Sequence, residues 1–267
     1  MDPAFSLDAV VEDIVPAPPK VVIYGAHGVG KTTFGAGFPN AILLMTEAGV
    51  GSLRIRRFPK VVETYHDFMT AIGALYQGEH DRQTLLLDSL DWLEPIVWQE
   101  TAQRHNKDSI ESWDYGKGYI EAEKVWSEVL TGLDALQAER GMSIVCTAHA
   151  AVTRFQSPTV EPYDRYSIKL HKRASALVQE WADIVGFAHW QTVTTATDLG
   201  FNKKAVRGVS TGQRLLALEE RPAWEAKNRF QMPPVMPLDA AQFLALLAER
   251  YTPAPVIEAA PSLATQE

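Results

Sequence analysis

The sequence has 267 residues, 46% of them hydrophobic, with 33 acidic against 25 basic side chains and a formal net charge of −8. A chain of this length forms one large domain or two small ones and can bury a substantial core without disulfides. Its single cysteine, Cys146, excludes an internal disulfide and a cysteine-rich zinc site. The acidic balance argues against nucleic-acid binding through bulk charge alone, although it leaves a local basic surface open.

The two ends of the chain differ from the region between them. The first fifteen residues carry acids and no long apolar run, so they do not resemble a signal peptide. No run approaches the roughly 18 apolar residues that a membrane span requires. Residues 252–267 combine Pro and Ala with acids and no base, which predicts a disordered acidic tail. We therefore expect an N-terminal segment (1–18), a core (19–251) and this tail, in a cytoplasmic protein without a membrane partner.

Short apolar runs alternate with helical patterns along the core. In chain order, strands are expected at 20–24, 41–46, 84–88, 143–148, 183–193 and 213–218. Helices are expected from Lys31 to before Pro39, over 67–76, over 120–140 and around 174–181. A last helix is expected after Asp239, which caps it, with Gln242 three residues on as the capping-box partner. This alternation predicts an α/β fold with a mostly parallel central sheet flanked by helices and an antiparallel C-terminal extension.

Residues 25–32, GAHGVGKT, match every fixed position of the phosphate-binding pattern G-x-x-x-x-G-K-[ST]. A predicted strand precedes this loop and a predicted helix follows it. The glycines allow backbone N–H groups to converge on phosphates, and the helix N-terminus adds a favourable dipole. Lys31 is expected to reach the β- and γ-phosphates, and the Thr32 hydroxyl to ligate Mg²⁺. The predicted nucleotide-binding residues are Gly25, Ala26, His27, Gly28, Val29, Gly30, Lys31, Thr32 and Thr33.

Three polar residues at the ends of predicted strands could complete a hydrolytic site. Asp88 ends the run LLLD and is the candidate second ligand of Mg²⁺, although an acid there could instead cap a helix. Glu47 follows the strand 41–46, where it would orient the attacking water. His149 follows the strand 143–148 and would sense the γ-phosphate, unless it is a structural histidine. The carboxyl ends of parallel strands gather at one edge of the sheet, which would bring the three residues to the phosphate loop.

The nucleotide is predicted to be ATP, bound with Mg²⁺. Guanine specificity usually accompanies an N-K-x-D segment. The nearest strings here are NKDS at 106–109 and NKKA at 202–205, and neither fits.

From Pro19 to Leu247 the order of elements resembles the RecA-type ATPase core. More narrowly, it resembles a phage-encoded group of RecA-like ATP-binding proteins, some of which act in single-strand annealing and recombination. TEAG at 46–49 looks like the family's segment with the catalytic glutamate, and LDS at 87–89 is similar to its Walker B motif. TAH at 147–149 stands where RecA has a glutamine that couples the γ-phosphate to a DNA-binding loop. Histidine departs from RecA itself but is similar to the phage group.

A fourth segment, AKNRF at 226–230, looks like the late lysine-asparagine-lysine segment of RecA. In RecA filaments those basic residues reach the ATP of the neighbouring subunit. The resemblance therefore implies a homo-oligomer, a ring or a filament, with ATP at subunit interfaces and Lys227 and Arg229 acting in trans. The alternative is that both are exposed bases on a terminal hairpin.

RecA-like proteins hold DNA with two mobile loops, which correspond here to 98–118 and 150–173. Both segments interleave aromatic and basic residues, a pattern that suits single strands because bases stack on rings while cations meet phosphates. Neither loop clearly matches those of RecA, and Trp113 and Tyr166 could equally be packing residues. The candidate DNA-binding residues are Trp113, Tyr115, Lys117, Arg154, Phe155, Arg165, Tyr166, Lys169, Lys172 and Arg173.

The sequence thus predicts an ATP-dependent, DNA-stimulated recombination protein that binds single-stranded DNA as an oligomer and promotes annealing or strand exchange. A single-strand-binding protein is a candidate further partner, and the bacterial cytoplasm the expected location of this phage- or prophage-encoded chain. The alternative is a regulatory or assembly P-loop ATPase that acts on a protein. A small-molecule kinase is disfavoured by the very short helix after Lys31 and by the lack of an arginine-rich lid segment.

Overall fold

The computed structural model describes residues 6–10, 17–49, 51–198 and 204–251. The predicted acidic tail, 252–267, lies outside these ranges, as does most of the predicted N-terminal segment. The proposed domain limits therefore stay predictions. Among the described helices, none combines the length and the apolar character that crossing a bilayer would need.

A single sheet, ten-stranded over the described residues, lies at the centre of the molecule. Its strands are β1 (Lys20–Gly25), β2 (Ala41–Met45), β3 (Arg56–Arg57), β4 (Thr84–Asp88), β5 (Ser143–Phe155), β6 (Tyr163–Ile168), β7 (Ile184–Asp198), β8 (Lys204–Ala217), β9 (Lys227–Asn228) and β10 (Val235–Pro237). The main path runs β10-β8-β7-β1-β5-β4-β2-β3, while β6 pairs with β5 and β9 with β7.

The six strands β7-β1-β5-β4-β2-β3 pair in parallel. The pairs β7–β8, β8–β10, β5–β6 and β7–β9 are antiparallel. The prediction of a mostly parallel central sheet flanked by helices, with an antiparallel extension late in the chain, is confirmed. Because β5 lies between β1 and β4, the end of β1 and the end of β4 flank the same strand.

Helices cover both faces of this sheet. They are α1 (Lys31–Ala36), α2 (Tyr65–Gln77), α3 (Leu90–Arg104), α4 (Lys117–Arg140), α5 (Lys172–Trp181) and α6 (Ala240–Tyr251). Side chains alternate across a strand, so β1 serves two cores. Val22 and Tyr24 pack in the core with α2 to α5, whereas Val21 and Ile23 pack in the core with α1 and α6. Burial on both faces explains why β1 is a continuous apolar run.

Helix α3 was not predicted from the sequence. Pro95 lies inside it, and proline usually interrupts a helix because it lacks an N–H and crowds the preceding turn. Its buried side chains also include Glu94, whose carboxylate oxygens both accept the His171 backbone N–H at 3.0 Å. An acid on a buried face breaks the apolar stripe by which amphipathic helices are recognised.

The prediction that the two candidate DNA-binding segments, 98–118 and 150–173, are irregular loops is wrong. Segment 98–118 contains the last turns of α3 and the start of α4, which begins at Lys117 rather than at 120. Segment 150–173 contains an antiparallel hairpin, in which Ala150 pairs with Ile168 and Phe155 with Tyr163. Strand β5 therefore continues seven residues beyond its predicted end at 148. Strands β7 and β8 are likewise longer than their predicted ranges, 183–193 and 213–218.

Helix α1, which follows the phosphate loop, has only six residues. Helices this short are not stable alone, because their nucleation is unfavourable. One ring of α6 supports it: Phe243 packs edge-on against Phe34 of α1 at 5.3 Å between centroids, and lies 5.8 Å from Phe38, just after α1. Phe243 is 0% exposed. Packing of α6 thus stabilises α1, the helix that directly follows the phosphate loop.

Replacing Phe243 by Ala is expected to lower the free energy of unfolding by about 3–5 kcal/mol, because a fully buried ring leaves a cavity under α1. Urea denaturation followed by circular dichroism measures this loss. Gln242→Ala, an exposed neighbour on the same helix, is the matched control and should change stability by less than about 0.5 kcal/mol. Equal stability of the two variants would contradict the role given to α6.

Candidate nucleotide-binding site

The phosphate loop begins where β1 comes very close to β7. A Cβ added to Gly25 would lie 2.1 Å from the backbone oxygen of Ala188, so the position excludes any side chain. Gly28 and Gly30 have φ values of 72° and 108°, in the left-handed region that glycine adopts at little cost. The three glycines of the loop, two of them fixed in the pattern, are therefore favoured by close approach or by backbone conformation.

The Lys31 side chain folds back into the curve of the loop. Its ammonium donates to the carbonyl oxygens of Gly25 at 3.0 Å and Ala26 at 2.9 Å, and the residue is only 7% exposed. Burial lowers the pKa of Lys31, while the nearby carboxylates of Asp88 and Glu47 act in the opposite direction. Phosphate oxygens placed in the loop would offer this ammonium stronger, charge-assisted acceptors than the two carbonyls.

The Asp88 carboxylate joins two hydroxyl groups. Thr32 donates to one carboxylate oxygen at 2.9 Å, and Thr147 of β5 donates to the other. A hydroxyl and a carboxylate at this separation fit Mg²⁺, which takes few protein ligands and keeps several waters and phosphate oxygens. The described residues contain no group of three or more His, Cys, Asp or Glu side chains that could hold a metal ion. Thr32 and Asp88 would therefore bind Mg²⁺ together with a nucleotide.

Glu47 stands directly beyond β2, beside this pair. The preceding residue, Thr46, fixes the segment: its backbone N–H donates to the Asp88 carbonyl at 2.8 Å and its hydroxyl to the Ser89 carbonyl at 2.7 Å. Partial burial raises the pKa of Glu47, an effect that the nearby His149 partly opposes and Asp88 reinforces. A half-buried carboxylate with a raised pKa has the properties of a general base.

His149 contacts the phosphate loop with one face of its ring. The imidazole stacks on His27 with 3.9 Å between ring centroids, and only 6% of the residue is exposed. Its Nδ1 donates to Asp91 Oδ2 at 2.8 Å, and its backbone N–H donates to Asp91 Oδ1 at 3.0 Å. Burial opposes ionisation of Asp91, but these two hydrogen bonds outweigh it and lower the pKa of that carboxyl. Asp91 thus fixes the orientation of the ring beside the loop.

These groups surround one cavity of about 470 Å³, a volume within the range of small-molecule sites, roughly 300–1,000 Å³. The predicted site residues in its lining are His27, Gly28, Gly30, Lys31, Thr32, Thr33, Glu47, Asp88 and His149. The strand-end acids and the histidine were predicted to meet at the phosphate loop, and in the structure they line the same cavity. Arg214 of β8 also lines it, a residue that the sequence reasoning did not select.

Lys227 and Arg229 lie away from this cavity. The Lys227 ammonium donates to the carbonyl oxygens of Gln179 and Glu180 at the end of α5, at 2.7 and 2.9 Å. Arg229 forms an ion pair of 2.9 Å with Asp183. Asn228 of β9 pairs with Ile184, the first residue of β7. Ile184 precedes Ala188, the partner of Gly25 at the start of the phosphate loop, by four residues, about 13 Å along the strand. In this arrangement the two cations are remote from the nucleotide site of their own chain.

Four of the ten candidate DNA-binding residues are exposed near the edge of the sheet that carries the phosphate loop. Tyr115 is 100% exposed in a turn before α4, and Lys117 is the first residue of that helix. Lys172 is the first residue of α5, and Lys169 lies 3.8 Å from Asp91. The start of α4 and the start of α5 are close together, because Tyr119 stacks on His171 with 4.1 Å between ring centroids.

The other six candidates take part in side-chain contacts within the chain, as Lys169 does with Asp91, although Arg154, Tyr166 and Arg173 are also exposed. The three arginines form ion pairs, Arg154 with Asp164, Arg165 with Glu225 and Glu220, and Arg173 with Glu123. The three aromatic residues pack: Phe155 under the Arg165 guanidinium, Tyr166 on Phe187, and Trp113 against His105. Their types and spacing in the sequence gave no sign of these partners.

Fold and site together define a P-loop NTPase. A family model described as an AAA domain matches residues 17–230, most of the chain, and the protein belongs to that family. Among solved structures, the one titled "Crystal structure of the RadB recombinase" is similar, with a TM-score of 0.45 and 13% identity over 82% of this chain and 86% of that chain. A comparison with curated proteins found no match.

Proposed function

We propose that this protein is a Mg²⁺-dependent ATPase in which Glu47 is the general base. The observation that carries the proposal is the meeting of Glu47, Asp88 and His149 around the phosphate loop in one cavity. Each comes from a different strand end, and each has the chemistry that one step of phosphoryl transfer to water requires. ATP is preferred over GTP because the sequence lacks an N-K-x-D segment.

In this mechanism the loop and Lys31 hold the phosphates, and Thr32 and Asp88 hold the metal. Bound Mg²⁺ would neutralise phosphate charge. Glu47 orients a water molecule toward the γ-phosphorus and accepts its proton. His149, with its Nδ1 proton held on Asp91, presents the rest of its ring to the cavity, where it responds to the γ-phosphate.

Glu47→Gln is expected to reduce kcat by about 10²- to 10⁴-fold, because an amide cannot accept the proton of water. ATP affinity should change little, since the phosphate loop is untouched. Lys31→Ala, in contrast, should abolish nucleotide binding. Steady-state phosphate release and equilibrium dialysis with labelled ATP measure the two quantities, and Glu79→Gln is the exposed-carboxylate control.

The pH profile provides a further check on Glu47. Glu47 acts as a base only when it is deprotonated, and its pKa is raised above the ordinary value of 4.5. We therefore expect kcat/KM to rise with pH as Glu47 deprotonates, at a pH above 4.5. Glu47→Gln should lose this acid limb. Wild-type turnover in Glu47→Gln would exclude the residue as the base.

We further propose that Lys227 and Arg229 act on the ATP of a neighbouring subunit. Two observations support this: Arg229 is exposed, and both cations are remote from the cavity of their own chain. A trans-acting arginine can contribute about 10³ to 10⁵ in rate in NTPases. The proposal requires a head-to-tail oligomer, in a ring or a filament.

Mixing two inactive variants tests this sharing. Arg229→Ala should bind ATP normally but lose cooperative hydrolysis. An equal mixture of Arg229→Ala and Glu47→Gln should recover about a quarter of wild-type activity, because random head-to-tail contacts rebuild that share of complete sites. Normal turnover of Arg229→Ala alone, or a mixture as inactive as its components, would contradict the proposal.

For the partner, we propose single-stranded DNA, bound at the surface that contains Tyr115, Lys117, Lys169 and Lys172. Exposed lysines beside an exposed aromatic ring suit phosphates and stacked bases. Residues that are already paired with acids, the three arginines and Lys169, contribute less to this surface than was expected. On this proposal the protein anneals or exchanges strands, with a single-strand-binding protein as a candidate partner, in the bacterial host of the phage that encodes it.

Lys172→Ala should weaken binding to an oligo(dT) probe and lower the slope of log K against log salt by about 0.7, because one phosphate contact is lost. Fluorescence anisotropy at several salt concentrations, with ATP present, gives both values. Lys60→Ala removes an exposed lysine that pairs with Asp67 on another part of the surface, and it should leave DNA binding unchanged. Absence of any DNA affinity at low salt would exclude this partner.

The second candidate is a regulatory or assembly ATPase with a protein partner, which the net charge of −8 favours. The two candidates differ in what stimulates hydrolysis. ATPase activity that is insensitive to DNA but raised by a protein would support the second.

A further inference from the structure

One wall of the nucleotide cavity is formed by strands that extend beyond β1. Gly25, the last residue of β1, pairs with Ala188 of β7, and β7 continues for ten more residues. Trp190 lies two residues past this pair, about 7 Å further along the strand. Trp190 therefore lies beyond the end of β1, at the same position along the strand direction as the phosphate loop. On the neighbouring strand, Arg214 pairs directly with Trp190.

This cross-strand pair orients the arginine. Directly opposed residues on antiparallel strands point to the same face. The Arg214 guanidinium carbon lies 4.9 Å from the centroid of the Trp190 ring, a cation–π contact. The Arg214 carbonyl accepts the Leu238 backbone N–H at 2.9 Å, which fixes the main chain at the same point. The ring and the backbone together hold the side chain in place.

The side chain extends over the start of α1. A Cβ built on Gly30 would lie 3.0 Å from Arg214 Nη1 and 3.8 Å from its Cδ, so the arginine covers the glycine directly before Lys31. Arg214 lines the cavity with Thr32 and Thr33. Backbone N–H groups at the start of this helix are the ones that face bound phosphates.

Arg214 adds a second positive charge to the cavity and has no carboxylate partner of its own among the described residues. Glu47 and Asp88 contribute negative charge, and Lys31, buried in the loop, contributes one positive charge. Among the ion pairs of the described residues, none joins Arg214 to a carboxylate. A guanidinium is planar, permanently charged and suited to two parallel hydrogen bonds with phosphate oxygens.

We propose that Arg214, held on Trp190, is a phosphate-binding residue of the nucleotide site and acts within its own chain. The inference rests on the proposed nucleotide site and deepens it. It assigns to β8 a cation that contacts the polyphosphate of the bound nucleotide, in addition to Lys31 and distinct from the trans-acting pair. Trp190 is a positioning residue that acts through Arg214.

Competition by inorganic tripolyphosphate tests the contact directly, because this probe has neither base nor ribose. Affinities for ATP and for tripolyphosphate are measured by displacement of a fluorescent ATP analogue from wild type, Arg214→Gln, Arg214→Lys and Lys31→Ala. Arg214→Gln should weaken both ligands about tenfold, the effect of losing a hydrogen bond to a charged group. Arg214→Lys should recover part of the loss. Arg221→Gln, an exposed arginine paired with Glu219, should match wild type.

The outcomes separate this inference from the proposed function. If wild type does not bind the analogue, or if Lys31→Ala binds it as well as wild type, the nucleotide site itself is wrong. If Lys31→Ala fails to bind but Arg214→Gln matches wild type, only the role of Arg214 is excluded. Loss of ATP affinity with unchanged tripolyphosphate affinity would mean that Arg214 contacts the base or ribose, which also overturns the inference. Thermal melting checks the fold, and Arg214→Lys decides the result if Arg214→Gln unfolds.

Discussion

The site depends on the hydrogen bonds that the Asp88 carboxylate accepts. It accepts hydrogen bonds from Thr32 and Thr147, and thereby joins the start of α1 and the middle of β5 to the end of β4. A half-buried carboxylate without such donors would be costly, because burial without hydrogen bonds disfavours a charge. The same two oxygens that stabilise the fold are those a metal ion would use. The fold and the proposed metal site therefore both require a carboxylate at this position. A shorter, uncharged side chain would neither accept both hydrogen bonds nor bind the metal ion.

The surroundings of Asp88 follow from the order of the strands. With β5 between β1 and β4, the ends of β1 and β4 stand about two strand spacings apart, roughly 10 Å. The phosphate loop covers this distance and brings Thr32 to within 2.9 Å of Asp88, the proposed metal ligand. Helix α1 crosses the same span, which is why its docking on Phe243 matters for the site as well as for stability. The sheet thus determines the separation of the reactive groups, and the aromatic cluster beneath α1 maintains it.

The sequence predicted the parts of this molecule that local patterns encode. The phosphate loop, the buried strands and the strand-end positions of Glu47 and Asp88 follow from spacing and from apolar runs. Features that depend on distant partners were missed. Glu94 is buried and accepts a hydrogen bond from the backbone N–H of His171, so the sequence of α3 lacked the apolar stripe of an amphipathic helix. Arg214 is a single cation in a strand, and only the register of β7 with β8 brings it to the cavity. Arginine partners were unpredictable for the same reason.

The continuation of β5 beyond His149 has a mechanical consequence. Had the strand ended there, a flexible loop could have absorbed any movement of the histidine. Instead, six further residues in register with β6 form a stiff arm about 20 Å long. Because Lys169, directly after β6, donates its backbone N–H to the His149 carbonyl, the arm is attached at both strands. A small rotation of β5 at His149 would therefore produce a larger displacement at the tip of the hairpin, because the tip lies far from the point of rotation.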